Sequence, residues 1–272
     1  MDLATLKEND FLKDILAQPE ALRQAIGKQD FSPLAPLAQA LHRGEIDRVI
    51  LTGMGASYYA LYTAWLHLAA AGYPAIWVDC AELVHNTPAL IGPKTLLVVA
   101  SQSGRSAEIV ALLSLLAGQA AAGGPLAGLV AITNDLHSPL ATAALLMIES
   151  ARQHAHAPEA VLLPLHTEPE LAVSTRTYVN TLAMAQLAAL ALSGPGRGNG
   201  GNMQSHLDDL EYSIQGIQAY LSGWEARLDQ IGEAVGAPGG APLMLLGRGP
   251  SLAAACEGAL NIEESATLPA IV

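Results

Sequence analysis

Aromatic residues are scarce in this sequence: two Phe, three Trp and seven Tyr, 4% of 272 residues. That argues against an aromatic-lined carbohydrate groove, which would stack sugar rings on aromatic faces. Charge is also scarce, at 14% against 51% hydrophobic residues. Such a balance excludes a disordered chain. Basic residues are outnumbered, 13 Lys and Arg to 25 Asp and Glu, for a formal charge of −12. With no basic run, the chain lacks the footprint of a nucleic-acid binder, and no nucleic-acid partner is expected. The same balance repels anions at long range, so any anion site must be built locally. No stretch of about 20 apolar residues runs uninterrupted, which argues against a membrane-spanning helix and a membrane partner. The two cysteines, Cys80 and Cys256, make neither a CxxC pair nor a disulfide framework. They fit a reducing, cytoplasmic setting. The opening residues, Met1 to Asp14, have no basic stretch followed by an apolar one, and so no signal-peptide pattern.

What is present is an alternation. Residues 1–48 read as helical, with Pro19 at a helix start and Leu22 and Ile26 on one face before a connection from Gly27 to Pro36. Val49-Ile50-Leu51 then leads into Gly53-Met54-Gly55-Ala56-Ser57, an Ala-rich helix to Ala71, and the apolar run Ala75 to Val78. Strand, glycine turn, helix and strand are the parts of a βαβ unit. Leu96 to Ala100 reads as a buried strand ahead of a helix from about Ser106 to Ala117. Leu129 to Ile132 and Leu145 to Ile148 read as further strands, and Ala172 to Leu192 as a helix. Short apolar strands alternating with helices predict an α/β fold, a doubly wound parallel sheet covered on both faces, over residues 49–192.

Residues 193–242 read as a linker and helical connection. Ser193 to Asn202 is Gly-rich, and apolar residues from Leu207 to Val235 recur at alternating spacings of three and four, a heptad seam interrupted by Gly216 and Gly223. A helix or helical hairpin docked on the α/β core accounts for it, and an oligomerisation surface is the alternative. From Leu243 the pattern of strand, Gly247-Arg248-Gly249 turn and Ala-rich helix echoes residues 49–71, which suggests an internal repeat. Residues 243–272 are too few for a complete doubly wound domain.

The chemistry concentrates in Ser101-Gln102-Ser103-Gly104-Arg105-Ser106. Three hydroxyls and a carboxamide stand where a parallel strand ends and a helix begins. There the helix's unpaired N–H groups and positive dipole end face outward. Short neutral donors in that place suit a phosphate oxygen, and they allow an acidic protein to hold one. The plainer reading is helix capping by Ser103 or Ser106. Gly53-Met54-Gly55-Ala56-Ser57 lacks both the third glycine of GxGxxG and a Walker lysine. It is either a tight turn with Ser57 as N-cap or a second wall of the same pocket.

Gly55-Ala56-Ser57-Tyr58, Ser101 to Gly104 and Ala172-Val173-Ser174-Thr175-Arg176, in that order, resemble the motif series of the sugar isomerase (SIS) domain family. Ala17-Gln18-Pro19, Gly247-Arg248-Gly249 and Glu257-Gly258-Ala259-Leu260 extend the likeness over almost the whole chain, toward the isomerase half of glucosamine-6-phosphate synthase and deaminase-like relatives. The resemblance implies a flavodoxin- or Rossmann-like first SIS domain and the start of a second, incomplete one at 243–272, the chain stopping inside it. It implies a phosphorylated sugar or amino sugar as ligand, no metal or organic cofactor, and a homodimer. Ser101, Gln102, Ser103 and Ser106 would hold the phosphate. Gly55 and Ser57 would contact the sugar, and Val173 and Ser174 would close over it. Glu264 would be the base between C1 and C2, with Glu257 two turns earlier on one helix face. Without the resemblance, both carboxylates read as ordinary solvated helix residues.

Departures from the pattern matter. Asn261 stands where the synthase-like pattern has lysine, and Asn supplies neither positive charge nor Schiff base. Arg105 replaces an acid and fits the deaminase-like relatives better. No glutaminase domain with its N-terminal cysteine is present, and the ring-opening His of the pattern would lie beyond Val272. The function implied is therefore isomerase or deaminase without a glutaminase domain, the alternative being a non-catalytic phosphosugar sensor. Of the remaining candidates, His154 and His156 fit a surface loop better than a metal site, there being no third ligand at a telling spacing. Glu82 and His85 are either pocket-lining or loop-packing residues. Arg176, a cation near a helix start, opposes the dipole and predicts a carboxylate or anion nearby.

Overall fold

In a computed structural model, described here for residues 7–124, 126–154, 157–170, 173–194, 202–235 and 242–272, five short strands form one parallel sheet. They are β1 (Arg48–Gly53), β2 (Ala75–Asp79), β3 (Thr95–Ala100), β4 (Gly128–Thr133) and β5 (Glu159–Pro164), in the order β2-β1-β3-β4-β5. One row across the sheet pairs Trp77, Leu51, Val98, Val130 and Val161; the adjacent row pairs Ile76, Ile50, Leu97, Leu129 and Ala160. Because side chains alternate between faces, the two rows enter different cores. Leu51, Val98, Val130 and Val161 pack in one cluster. Ile50, Leu97, Leu129 and Ala160 pack in the other. Strands buried on both faces are continuously apolar, which is why β3 reads Thr-Leu-Leu-Val-Val-Ala.

Helices cover both faces. On the first lie α2 (Gln18–Lys28), α3 (Ala35–His42), α5 (Tyr62–Ala70) and the 18-residue α9 (Arg176–Ser193), which buries Met184, Leu187 and Ala188. The second face carries α6 (Cys80–His85), α7 (Ala107–Ala121) and α8 (Pro139–Gln153). The short α4 (Gly55–Ala60) follows β1, and α1 (Asp10–Leu16) precedes α2. The chain leaves β1 toward β2 on one side and returns through β3 on the other, so the topological switch point lies between the ends of β1 and β3. Open α/β sheets bind ligands there.

Several expectations need correction. Leu145 to Ile148 is helix, not strand. Ser138 caps α8, Pro139 opens it, and the buried Leu140, Ala141 and Ala144 form its inner face while Leu145 and Leu146 are exposed. An apolar run four residues long does not by itself distinguish helix from strand. The fifth strand is 159–164, whose flanking Glu and Pro obscured it. Among the described residues the N-terminal segment holds α1, α2 and α3, and Gly27 lies inside α2 instead of opening a connection. The helix after β1 breaks at Leu61, and Ser57 sits within α4, whose N-cap is Met54.

The heptad seam becomes two helices, α10 (Met203–Leu221) and α11 (Trp224–Val235). Its first half docks: Leu210 and Ile214 pack with Leu22 of α2 and Ala183 of α9. Its second half does not, and Leu228 and Ile231 are exposed. Most of the linker predicted at 193–202, and most of 236–242, lie outside the described residues. The C-terminal stretch forms β6 (Leu243–Met244), α12 (Ser251–Ala266) and β7 (Ala270–Ile271), with β6 and β7 parallel. Gly247 there matches Gly53 after β1: a Cβ at Gly53 would lie 2.7 Å from the Ala100 carbonyl, and one at Gly247 2.7 Å from that of Ser251. Each turn thus requires glycine for close backbone approach.

Candidate functional site

The loop leaving β3 is organised by its own polar groups. The Gly104 N–H donates to the Ser101 Oγ (3.1 Å) and to the Ser101 carbonyl (3.2 Å), while the Arg105 N–H donates to the Ser103 Oγ (3.3 Å). The Thr133 hydroxyl and the Asn134 N–H, at the end of β4, both donate to the Gln102 carbonyl. Gly104 has a φ of +61°, and a Cβ there would fall inside van der Waals contact with the Ser138 hydroxyl. The loop is thereby tied to the end of β4 and to the cap of α8.

Ser106 does not cap the helix it precedes. It occupies the N-cap of α7, yet its Oγ makes no capping bond, and that oxygen is buried with no partner. Buried hydroxyls are almost always satisfied, so this one stands out. Gln102 and Ser103 of the same loop, but not Ser106, line an open cavity of about 500 Å³ with Asn134, Asp135, Leu136, His137 and Pro169. Arg105 does not point a free charge at this space. Its guanidinium donates twice to Asp135 Oδ2 (2.9 and 2.8 Å) and once to the His137 carbonyl. Asp135 is held below the usual carboxylate range, first by the His137 N–H and then by Arg105.

The other predicted residues approach from α9 and α12. Asn261 donates through Nδ2 to the Ser174 carbonyl (3.4 Å) and to Glu257 Oε1 (3.3 Å), tying α12 to the turn before α9. The Ser174 hydroxyl pairs with that of Thr177, and Val173 is half-buried beside it. Ala172, the first residue of that motif, lies outside the described residues. α12 packs on α4, where Leu260 approaches Gly55. Glu257 is 4% exposed and its Oε2 has no partner. Burial pushes its carboxyl up to about 8, with the Glu264 and Glu170 charges adding and the Asn261 hydrogen bond opposing. Glu264, one face but two turns later, is exposed. The two carboxylates that looked alike in sequence thus have opposite surroundings.

Residues missed in the sequence include Glu170 and Tyr178. The Glu170 carboxylate accepts from the N–H groups of Thr175, Arg176 and Thr177 and from the hydroxyls of Thr175 and Thr177. It fills the N-terminus of α9. Arg176 has the carboxylate partner its position predicted: Nη2 stands 2.6 Å from Asp14 Oδ1 of α1, both side chains nearly buried. Glu82 and His85 fall on the exposed face of α6, where Glu82 binds Asn86. His154 is exposed, and His156 lies outside the described residues. Among the described residues no group of three or more His, Cys, Asp or Glu is placed to hold a metal ion. None of their helices is long and apolar enough to cross a membrane.

The SIS domain model matches residues 45–191, more than half of the chain. The chain belongs to the SIS domain family. It is 28% identical over 263 residues to the glutamine–fructose-6-phosphate aminotransferase (isomerizing) of Pyrococcus horikoshii, covering 95% of this chain and 39% of that protein. It is 30% identical over 145 residues to the arabinose 5-phosphate isomerase GutQ of Salmonella typhimurium, covering 53% and 40%. The chain therefore spans about two fifths of the length of these curated relatives. The fold matches the C-terminal domain of glucosamine-fructose-6-phosphate aminotransferase from Francisella tularensis, with a TM-score of 0.70, 21% identity and coverage of 97% of this chain and 69% of that one. It matches the tagatose-6-phosphate ketose/aldose isomerase of Escherichia coli equally, at 0.70, 24% identity, 99% and 67%. This SIS fold carries its polar β3–α7 loop at the switch point of the sheet.

Proposed function

We propose that this chain binds the phosphate of an aldose, ketose or amino-sugar 6-phosphate in the loop between β3 and α7 and acts on the sugar as an isomerase or deaminase. The observation that carries the reading is the buried, partnerless Ser106 hydroxyl at the N-terminus of α7, in one loop with Ser101, Gln102 and Ser103. Helix N–H groups, the dipole and neutral hydroxyls hold a phosphate without a basic side chain. That resolves how a chain of charge −12 takes an anion. Gly55 and Ser57 on α4 form the adjoining wall, and Val173 and Ser174 close it from the turn before α9.

In the isomerisation, Glu264 takes a proton from C2 of the open-chain aldose and returns it to C1, while a hydroxyl proton moves from O2 to O1 and no electrons leave the sugar. Glu257, protonated below about pH 8, is the acid on the same helix. Residues 243–272 form the first βαβ unit of a second SIS domain, a reading supported by the matched glycine turns at Gly53 and Gly247. The protein works in the cytoplasm as a homodimer; exposed Leu228 and Ile231 on the outer half of the seam support a second copy there.

Calorimetry and turnover with fructose-6-phosphate and glucosamine-6-phosphate, on wild type and Glu264→Gln, test this. Binding with turnover that collapses in Glu264→Gln is expected; undiminished turnover in the variant sinks the role given to Glu264. A second reading, a phosphosugar sensor, is favoured by Asn261, which brings no charge to the site, and by the exposure of Glu264. Binding with no turnover in wild type supports it.

A further inference from the structure

A cavity of about 490 Å³ opens between α5, α9 and the turn before α12. It shares no residue with the cavity at Gln102 and Ser103. Its polar lining is Thr63 and His67 on α5 and the half-buried Gln186 on α9, and its apolar lining includes Leu66, Leu182 and Pro250. Among the described residues, His67 is the one titratable side chain that lines it. His67 is 6% exposed, and its Nε2 stands 2.9 Å from the Ser193 Oγ at the end of α9. The Ser193 hydroxyl donates its own hydrogen to the Leu190 carbonyl (3.2 Å), so toward His67 it can only accept. The imidazole is therefore the Nε2–H tautomer, and its Nδ1 lone pair has no hydrogen-bond partner among the described residues. Burial, and after it the His206 ring on α10, hold His67 below its usual 6.5, so at pH 7 the ring is neutral. One turn earlier on the same helix face, the Thr63 hydroxyl is also without a partner.

A lone pair on a neutral ring selects a donor. An anion is excluded, because it would meet that lone pair and no cation. A cation is excluded as well, because no carboxylate lines the cavity, and a metal ion would find a single imidazole there. What fits is an uncharged molecule with an apolar body for Leu66, Leu182 and Pro250 and one N–H or O–H for Nδ1. Gln186 adds an amide that either donates or accepts. The volume falls in the lower half of the roughly 300–1,000 Å³ typical of small-molecule sites, which suits a compound of one or two rings.

We propose that this cavity is a second ligand site, for a neutral hydroxyl- or N–H-bearing ring compound of the phenol or indole class that donates to His67 Nδ1. Its occupant fastens the Gly249-Pro250 turn, and with it the start of α12, to α5 and α9. The site is independent of whatever the β3–α7 loop binds.

The test is NMR titration of the full chain at pH 7 with phenol, indole and their donor-free counterparts anisole and N-methylindole, followed on the His67 ring signals. Phenol and indole are expected to shift the Nδ1 resonance with dissociation constants of about 1 mM or tighter. Anisole and N-methylindole should bind at least about tenfold more weakly, because they leave Nδ1 unpaired. Saturating phenol should also push the His67 pKa still lower, since the ligand takes only the neutral ring. His67→Gln puts an amide nitrogen where Nε2 stands, which keeps the Ser193 contact and removes the acceptor at Nδ1. Calorimetry on this variant should show phenol weakened at least about tenfold and anisole unchanged. A histidine that serves only to hold Ser193 would give neither result. Ala70→Phe, at an exposed lining position at the end of α5, should fold as wild type and block all four compounds. Anisole binding as tightly as phenol overturns the proposal. So does undiminished phenol binding in Ala70→Phe, or the failure of all four compounds to move the His67 signals at about 10 mM.

Discussion

Glu257 gives the structure a pH signature that can be worked out before any ligand is known. Its carboxyl is held up to about 8 in the fold, chiefly by burial, against an ordinary value of 4.5. Below pH 4.5 both folded and unfolded chains carry the proton, and the group contributes nothing pH-dependent. Between pH 4.5 and about 8 the unfolded chain has lost the proton while the folded one keeps it. The unfolded state then binds fewer protons, and stability must fall as pH rises through this window. At about 1.4 kcal/mol per tenfold change in proton affinity, the ceiling on that loss is ~5 kcal/mol, reached just above pH 8. Glu257→Gln keeps the volume and the hydrogen bond with Asn261 but has no proton to lose. Urea unfolding of both proteins from pH 4 to 9 isolates the effect, since every other group cancels in the difference. The curves should meet near pH 4.5 and diverge steadily, the variant being more stable by several kcal/mol at pH 8.5. Parallel curves would refute the buried, protonated carboxyl and with it the acid role given to Glu257.

Other perturbations separate packing from binding. Ser106→Ala should leave stability within about 0.5 kcal/mol, because no cap bond is lost, yet weaken phosphate binding about tenfold; a loss near 1 kcal/mol in urea unfolding with unchanged binding would mean a cap after all. Gly104→Ala forces a side chain into the left-handed region and against the cap of α8, so a cost above ~2 kcal/mol is expected in chemical denaturation. Arg176→Met strands the nearly buried Asp14 carboxylate and should cost about 3 kcal/mol, with α1 released first in hydrogen exchange. Leu228→Asp should lower the sedimentation coefficient to that of a monomer while leaving sugar-phosphate affinity unchanged.

Legibility in the sequence followed the physics of each element. β1, β3 and β4 were plain because a strand buried on both faces must be a continuous apolar run. β5 was not, since an edge strand tolerates the Glu159 and Pro164 that disguise it. Leu145 to Ile148 misled because two exposed leucines, Leu145 and Leu146, run directly into Met147 and Ile148, which pack on the core, and the resulting apolar run mimics a strand. The serine loop was legible as a polar turn between a strand and a helix because donors cluster within six residues. Whether Ser106 caps or waits for a ligand depends on where one hydroxyl points, which only the fold decides.

The acidic pair shows the same limit more sharply. A spacing of seven places Glu257 and Glu264 on one helix face, and nothing local distinguishes them. Tertiary packing does: α4 and the turn before α9 bury the first and leave the second in water. A net charge of −12 says nothing about that difference. Burial beside the unpaired Asn261 amide oxygen sets Glu257 apart from the exposed Glu264, and that contrast comes from the packing of α12, not from the helix's own sequence.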